Sequence, residues 1–258
     1  MELQIEIENT CMNIIKFGKG RRNLAVIAGV SLCGIEGLGE QVENSLGFFA
    51  NDFTVYVFDR KKVLPAGYTM EEMAEDIYFC LKKLSIEKTS VYGVSQGGMI
   101  GQILAAGHPD LVENLILCST SAKVEKDNRV FTEWKKASQK FDIVQLNELF
   151  LDFVYSNAFR ESIREHIPSL LHQGTAGDCQ RFTILIDSML GFDFTDRLNK
   201  IKCPTLVICD KKDKIFDYRD GTYIADRTGG KVIVYDKYSH AVYDEASDLK
   251  EKIAEFLR

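Results

Sequence analysis

Proline is scarce in this chain, at 4 residues in 258, tryptophan occurs once and histidine 4 times. So little proline beside 45% hydrophobic and 27% charged residues excludes a collagen-like or low-complexity chain and leaves an ordinary globular one. Long apolar runs are also missing. The longest, Leu24 to Val30, is far too short to cross a bilayer, so no membrane partner is expected. Met1-Glu2-Leu3-Gln4-Ile5-Glu6 has neither a basic head nor an apolar stretch, so no secretory leader is expected. Positive charge is in deficit, 32 Lys and Arg against 38 Asp and Glu, and no basic stripe stands out. Nucleic acid, which demands such a stripe, is therefore not an expected partner. No two of the 7 cysteines, at positions 11, 33, 80, 118, 179, 203 and 209, have C-x-x-C spacing. An odd, scattered set reads as reduced thiols in a cytoplasmic protein, with no disulfide frame and no zinc or other metal.

What is present is alternation. Leu3 to Ile7 has a strand period, and Met12 to Phe17 a second β-rich run, together predicting a hairpin. Leu24 to Ala28 is continuously apolar, the pattern of a strand buried on both faces. Thr54–Phe58, which ends at Asp59, then Ser90–Val94, Leu115–Cys118, Thr205–Cys209 and Val232–Tyr235 repeat it. Between them, Met70, Met73, Ala74, Ile77, Leu81 and Leu84 share a helical face, opened by a Thr69/Glu72 capping box. Gln96 to Gly107 is a Gly- and Ala-rich helix, and Val242, Ala246, Leu249, Ile253 and Phe256 give the C-terminal stretch a helical face. Strand and helix in alternation predict an α/β fold with a mainly parallel sheet covered on both sides.

From Ser119 to Lys200 the alternation stops and only helices are read: Val130–Lys140, Ile143–Tyr155, Phe159–His166 and Arg181–Leu190. The expected organisation is a core of residues 1–118 and 201–258 with a helical cap, 119–200, inserted between strands.

Val91 to Met99 contains Gly93-Val94-Ser95-Gln96-Gly97, a G-x-S-x-G pattern that directly follows a strand and directly opens a helix. A serine on so sharp a turn needs small neighbours, because side chains at positions 93 and 97 would strike adjacent backbone. The turn lifts the Ser95 hydroxyl above the sheet edge, and the helix behind it favours developing negative charge. A serine is a weak nucleophile, so a base and a carboxylate that orients it are required. Of the histidines, His108 stands at a helix end beside Pro109, where capping suits it, and His166 and His172 lie in the inserted stretch as surface residues. That leaves His240, in the loop between the last strand and the C-terminal helix.

These features resemble the α/β-hydrolase family across nearly the whole chain. His108-Pro109-Asp110 closes the helix after the elbow, Val112 to Leu117 resembles the strand that follows, and Cys203-Pro204-Thr205-Leu206-Val207-Ile208 matches the family's seventh-strand entry. The resemblance implies an eight-stranded sheet and the order Ser95, acid, His240. It places the acid in Asp210-Lys211-Lys212-Asp213-Lys214-Ile215, at Asp213, with Asp210 the alternative. It also implies an oxyanion hole from the backbone amides of Val30, in Ala28-Gly29-Val30, and Gln96.

The expected function is a carboxylesterase-like serine hydrolase acting without metal or organic cofactor on a small ester, lactone, thioester or related acyl compound. A ligand receptor without activity, and perhydrolase or carbon–carbon hydrolase chemistry on the same residues, are the alternatives. A serine at the elbow argues against the epoxide-hydrolase and dehalogenase branches, which carry an aspartate there. Arg160 and Arg164, one turn apart, are candidates to grip a substrate carboxylate but read more simply as a solvated face. Trp134 and Phe153 are candidates for a pocket roof or for the inserted stretch's own core.

Overall fold

The computed structural model describes residues 1–167 and 173–258, so the position of His172 lies outside the described residues. Eight strands form one sheet: β1 (Glu2–Ile7), β2 (Thr10–Phe17), β3 (Arg22–Ile27), β4 (Phe53–Lys61), β5 (Thr89–Val94), β6 (Val112–Cys118), β7 (Thr205–Asp210) and β8 (Lys231–Tyr235). Their spatial order is β1-β2-β4-β3-β5-β6-β7-β8. The β1–β2 hairpin and the β2–β4 pair are antiparallel, and the pairs from β4 onward are parallel.

The central strand β3 shows why its sequence is apolar from Leu24 onward. Leu24 and Val26 of β3 enter one hydrophobic cluster, and Ala25 and Ile27 enter the other, on the opposite face of the sheet. A strand covered on both sides has no position left for a polar side chain. One face carries the helices Met70–Lys83 and Gln96–Gly107 with the helices between β6 and β7. The other carries the helix Gly39–Leu46 and the C-terminal helix Leu249–Phe256.

The chain runs from β3 outward to β4 and then back across to β5, so the strand order reverses at β3. Ligands of open α/β sheets bind outside the carboxyl ends of strands at such a reversal. Ile27, the last residue of β3, is in register with Gly93 of β5, which sets the loop after β3 beside the turn after β5.

Between β6 and β7 stand the helices Arg129–Gln139, Ile143–Val154, Asn157–Ser162 and Ala176–Met189. Their apolar faces meet around Trp134, whose ring stacks on Phe150 at 4.9 Å and meets Phe153 at 6.4 Å and Phe182 at 6.1 Å. Burial of a side chain such as Phe182 contributes about 1.5–3 kcal/mol, and these residues are continuous with the core cluster under the helices Met70–Lys83 and Gln96–Gly107. Arg164 is exposed and pairs with Glu161 as a solvated face does, whereas Arg160, paired with Asp152, is half-buried.

Several element ends differ from the sequence reading. β4 continues past Phe58 through Asp59, Arg60 and Lys61, all buried, because Lys61 is paired in the sheet with Met12. The helix expected over Phe159–His166 ends at Ser162, whose hydroxyl is bonded to the Phe159 carbonyl at 2.7 Å and competes with the next turn. The helix expected from Arg181 starts at Ala176, opened by a Thr175/Asp178 capping box. The C-terminal stretch is broken into Val242–Glu245 and Leu249–Phe256, with Ala246 extended between them.

Candidate active site

β5 delivers Ser95 at its carboxyl end in a conformation that few side chains adopt, φ 52° and ψ −119°. Such a backbone costs on the order of 1–3 kcal/mol and persists only where its surroundings fix it. They do so here. The Ser95 amide donates to the Cys118 carbonyl at 2.9 Å, and its carbonyl accepts from Gly98 N at 2.9 Å and Thr120 Oγ1 at 2.7 Å. A β-carbon on Gly93 would lie 2.5 Å from the Gly97 carbonyl oxygen, and one on Gly97 would lie 2.0 Å from that of Ile27. Both positions therefore require glycine.

The loop after β7 supplies Asp213 and the loop after β8 supplies His240. His240 Nδ1 lies 2.9 Å from Asp213 Oδ2, with both side chains almost wholly buried. The other Asp213 oxygen accepts from the amides of Ile215 at 2.8 Å and Phe216 at 3.1 Å, which fixes the carboxylate's orientation. The Phe216 ring stands 5.6 Å from the imidazole. Asp210 lies elsewhere: its oxygens accept from the amides of Lys212 at 2.7 Å, Tyr238 at 2.8 Å and Lys237 at 3.2 Å. It staples the two loops together and does not meet the histidine.

Ser119 links the two halves of the site. It directly follows Cys118, the acceptor of the Ser95 amide, and its hydroxyl donates to the His240 carbonyl at 2.6 Å. Among the described residues no hydrogen bond joins Ser95 Oγ to the His240 ring. Hydrogen bonds between nucleophile and base are often loose before substrate arrives and tighten with it.

Gly29 lies against the serine, such that a β-carbon there would be 3.2 Å from Ser95 Cβ. Val30 follows in the same loop and is buried, as is Gln96. The Gln96 side chain accepts from Arg60 Nη2 at 2.9 Å and donates to the Leu185 carbonyl at 2.9 Å and Ser188 Oγ at 3.3 Å. Arg60 Nη2 also donates to the Ala28 carbonyl at 2.9 Å. Burial pushes the Arg60 guanidinium down to about 10, which leaves it a cation at neutral pH. Asp59 in turn accepts from Arg181 Nη2 at 2.6 Å, tying β4 to the helix Ala176–Met189.

Sequence patterning missed Arg60, Arg181, Asp59 and Ser119. A charged run after an apolar strand reads as the strand's end, and partners 122 residues apart, as Arg181 and Asp59 are, leave no local signal. His108 and His166 lie away from this site. His108 ends the helix Gln96–Gly107, bonds Glu75 at 2.9 Å and stacks on Tyr78, while His166 is exposed. Among the described residues no group of three or more His, Cys, Asp or Glu is placed to hold a metal ion.

Comparison with known proteins agrees with this fold. A model of the alpha/beta hydrolase fold matches residues 47–167. The chain is similar to a Rhizobium rhizogenes protein named "Putative carbamate hydrolase RutD", 26% identical over 87% of this chain and 90% of that one. It is 22% identical to the 3-oxoadipate enol-lactonase 2 of Acinetobacter baylyi, over 85% of this chain and 82% of the relative. In three dimensions it superposes on the crystal structure of the enol-lactonase from Burkholderia xenovorans LB400 with a TM-score of 0.87, at 18% identity and over 99% of each chain. With the sheet order, the serine turn and these likenesses together, the chain has the α/β hydrolase fold.

Proposed function

We propose that this protein is a serine hydrolase acting on a small ester, lactone or related acyl compound, with Ser95 as nucleophile, His240 as general base and Asp213 as its orienting carboxylate. The observation that carries the reading is the buried Asp213–His240 pair, held by Ser119 beside a serine in a strained turn. The enol-lactonase and carbamate hydrolase named above support it, since both names describe hydrolysis at an acyl carbon.

In this reading Ser95 Oγ forms a bond to the acyl carbon while its proton passes to His240 Nε2. The carbonyl π electrons move onto oxygen, where the amides of Val30 and Gln96 meet the negative charge. The tetrahedral intermediate collapses, the bond to the leaving oxygen or nitrogen breaks, and His240 returns the proton to it. Water, deprotonated by His240, then attacks the acyl-serine; the bond from the acyl carbon to Ser95 Oγ breaks, Oγ takes the proton back from His240, and the acid is freed. Asp213 holds Nδ1–H and stabilises the imidazolium at each transfer without taking the proton. The helices of residues 119–200 would serve as a cap over this edge, with Trp134 at the centre of the cap.

The test is labelling of the purified protein with a fluorophosphonate probe, alongside a panel of nitrophenyl esters, thioesters and lactones. Labelling of wild type, lost in Ser95→Ala, with turnover of at least one class, is the expected result. A folded wild type that neither labels nor turns over any acyl compound would overturn the reading in favour of a ligand receptor. Carbon–carbon cleavage or peroxide-dependent halogenation in place of hydrolysis would reassign the reaction.

A further inference from the structure

Two guanidinium groups flank a single carboxylate just behind the loop after β3. The Arg60 side chain is 4% exposed as a residue, and its Nε is buried with no partner. Arg181 spends Nη2 on Asp59, but its Nη1 is buried and likewise unpartnered. Asp59 already accepts three hydrogen bonds: Oδ1 from Arg181 and from Arg60 N at 2.7 Å, and Oδ2 from Ile35 N at 3.0 Å. Asp178, one turn before Arg181, accepts from the amide and hydroxyl of Thr175. Among the described residues, two buried N–H groups on cations are thus without a hydrogen-bond partner.

A cavity of about 10 Å³ opens at this point, bounded by Ala28, Gly29, Ser31, Asp59, Arg60 and Arg181. That is room for one oxygen-sized atom. Its Gly29 wall is the same residue that lies against the Ser95 side chain. A buried, unpaired donor on a charged group is costly, and an anionic oxygen relieves it better than water does, because both partners are then charged.

We propose that this cavity receives one oxygen of a carboxylate carried by the acyl group, so that the substrates are short acyl compounds bearing a free acid a few bonds from the scissile carbonyl. The proposal rests on the serine-hydrolase reading for its orientation toward Ser95, but the anion site can be measured without turnover. Arg181 and Arg60 are specificity-determining residues here, and Asp59 holds them in place.

The experiment compares 4-nitrophenyl hydrogen succinate and hydrogen glutarate with their methyl esters, in wild type, Arg181→Met and Arg181→Lys. The expected result is a wild-type kcat/KM preference of at least about tenfold for the free acids. That preference should vanish in Arg181→Met and be partly kept in Arg181→Lys, with the loss expressed in KM. In parallel, millimolar glutarate should raise the Tm of wild type by about 2 °C and leave that of Arg181→Met unmoved. Equal turnover of acids and methyl esters by wild type, or an equal fall for both in Arg181→Met, would overturn the proposal and leave the arginine as a brace between β4 and the helix. Absence of all turnover with glutarate still stabilising wild type alone would overturn the hydrolase reading and keep the anion site. Absence of both preference and stabilisation overturns the anion site.

Discussion

Arg60 Nη2 stands 2.9 Å from Gln96 Oε1 and also 2.9 Å from the Ala28 carbonyl, so one guanidinium joins the loop after β3 to the residue after Ser95. Those are the two segments whose amides are proposed to face the oxyanion. Replacing Arg60 by Met leaves two buried acceptors unpaired and frees the segments to drift apart. Removal of a whole oxyanion donor typically costs 10²–10³ in kcat; misplacement should cost less, about 10–100-fold. Because the amides meet full charge only in the transition state, the loss should fall on kcat with KM little changed. Steady-state kinetics of Arg60→Met and Arg60→Lys on one neutral ester would check this, and a rise in KM at constant kcat would contradict it.

Asp213 and Asp210 should separate cleanly. Asp213→Asn keeps the shape but offers His240 Nδ1 the wrong partner, so kcat should fall by about 10³–10⁴ with little change in Tm. Asp210→Asn removes a charged acceptor from three backbone amides and should cost about 1–3 kcal/mol of stability. Its kcat, measured well below the transition, should stay within a few-fold of wild type. Urea melts together with kinetics of the two variants decide the matter, and a reversed pattern would exchange their roles.

Glycine is needed for space at one end of the elbow helix and not at the other. A β-carbon at Gly97 would meet backbone oxygen at 2.0 Å, whereas one at Gly107 meets nothing within 4 Å. Gly97→Ala should therefore fail to give a soluble native protein or lose all probe labelling. Gly107→Ala should raise stability by about 0.4–1 kcal/mol through the unfolded chain's lost freedom. Circular dichroism melts of the pair would show it.

Alkaline stability should fall from about pH 9. Burial pushes the Cys80 and Cys209 thiols up to about 12 from an ordinary 9.0, and raises Cys118 as well. The native state then holds protons that the unfolded chain gives up. The stability this represents is complete below pH 9 and is lost as pH rises toward 12. Each such thiol contributes a slope of about 1.4 kcal/mol per pH unit in that window. Urea midpoints at pH 8, 9 and 10 should descend, less steeply in Cys80→Ala. The same thiols should resist iodoacetamide in the native protein at pH 8.

Residues that the backbone forces are the ones legible in sequence. Gly93 and Gly97 announce the elbow because no other residue fits beside Ser95. The sheet's inner strands announce themselves because both faces are covered. Asp59, Arg60 and Lys61 hide because three charges in a row read as solvent, while here Asp59 and Lys61 pair with the distant Arg181 and Asp76, and Arg60 bonds the Ala28 carbonyl and the Gln96 side chain. The break at Ala246 hides for a related reason. Apolar spacing continues through it, but Asp248 bonds the Tyr235 hydroxyl at 2.9 Å and starts a new helix. Periodicity reports which side of a segment is buried, and it is blind to where tertiary partners cut the segment.

Ser119 has a consequence for how the molecule comes into being. Its backbone sits beside the Ser95 acceptor, its amide bonds Ile208 at 2.9 Å, and its hydroxyl holds a carbonyl 121 residues further along the chain. No local nucleus can assemble such a junction, because loop closure over that separation must come first and is slow. Competence should therefore be among the last properties to arrive during refolding. Helical signal would recover early, and probe-reactive serine would appear only with the slowest tertiary phase, once the C-terminal strand has docked. A nascent chain still lacking that strand would fold much of its sheet and remain chemically silent.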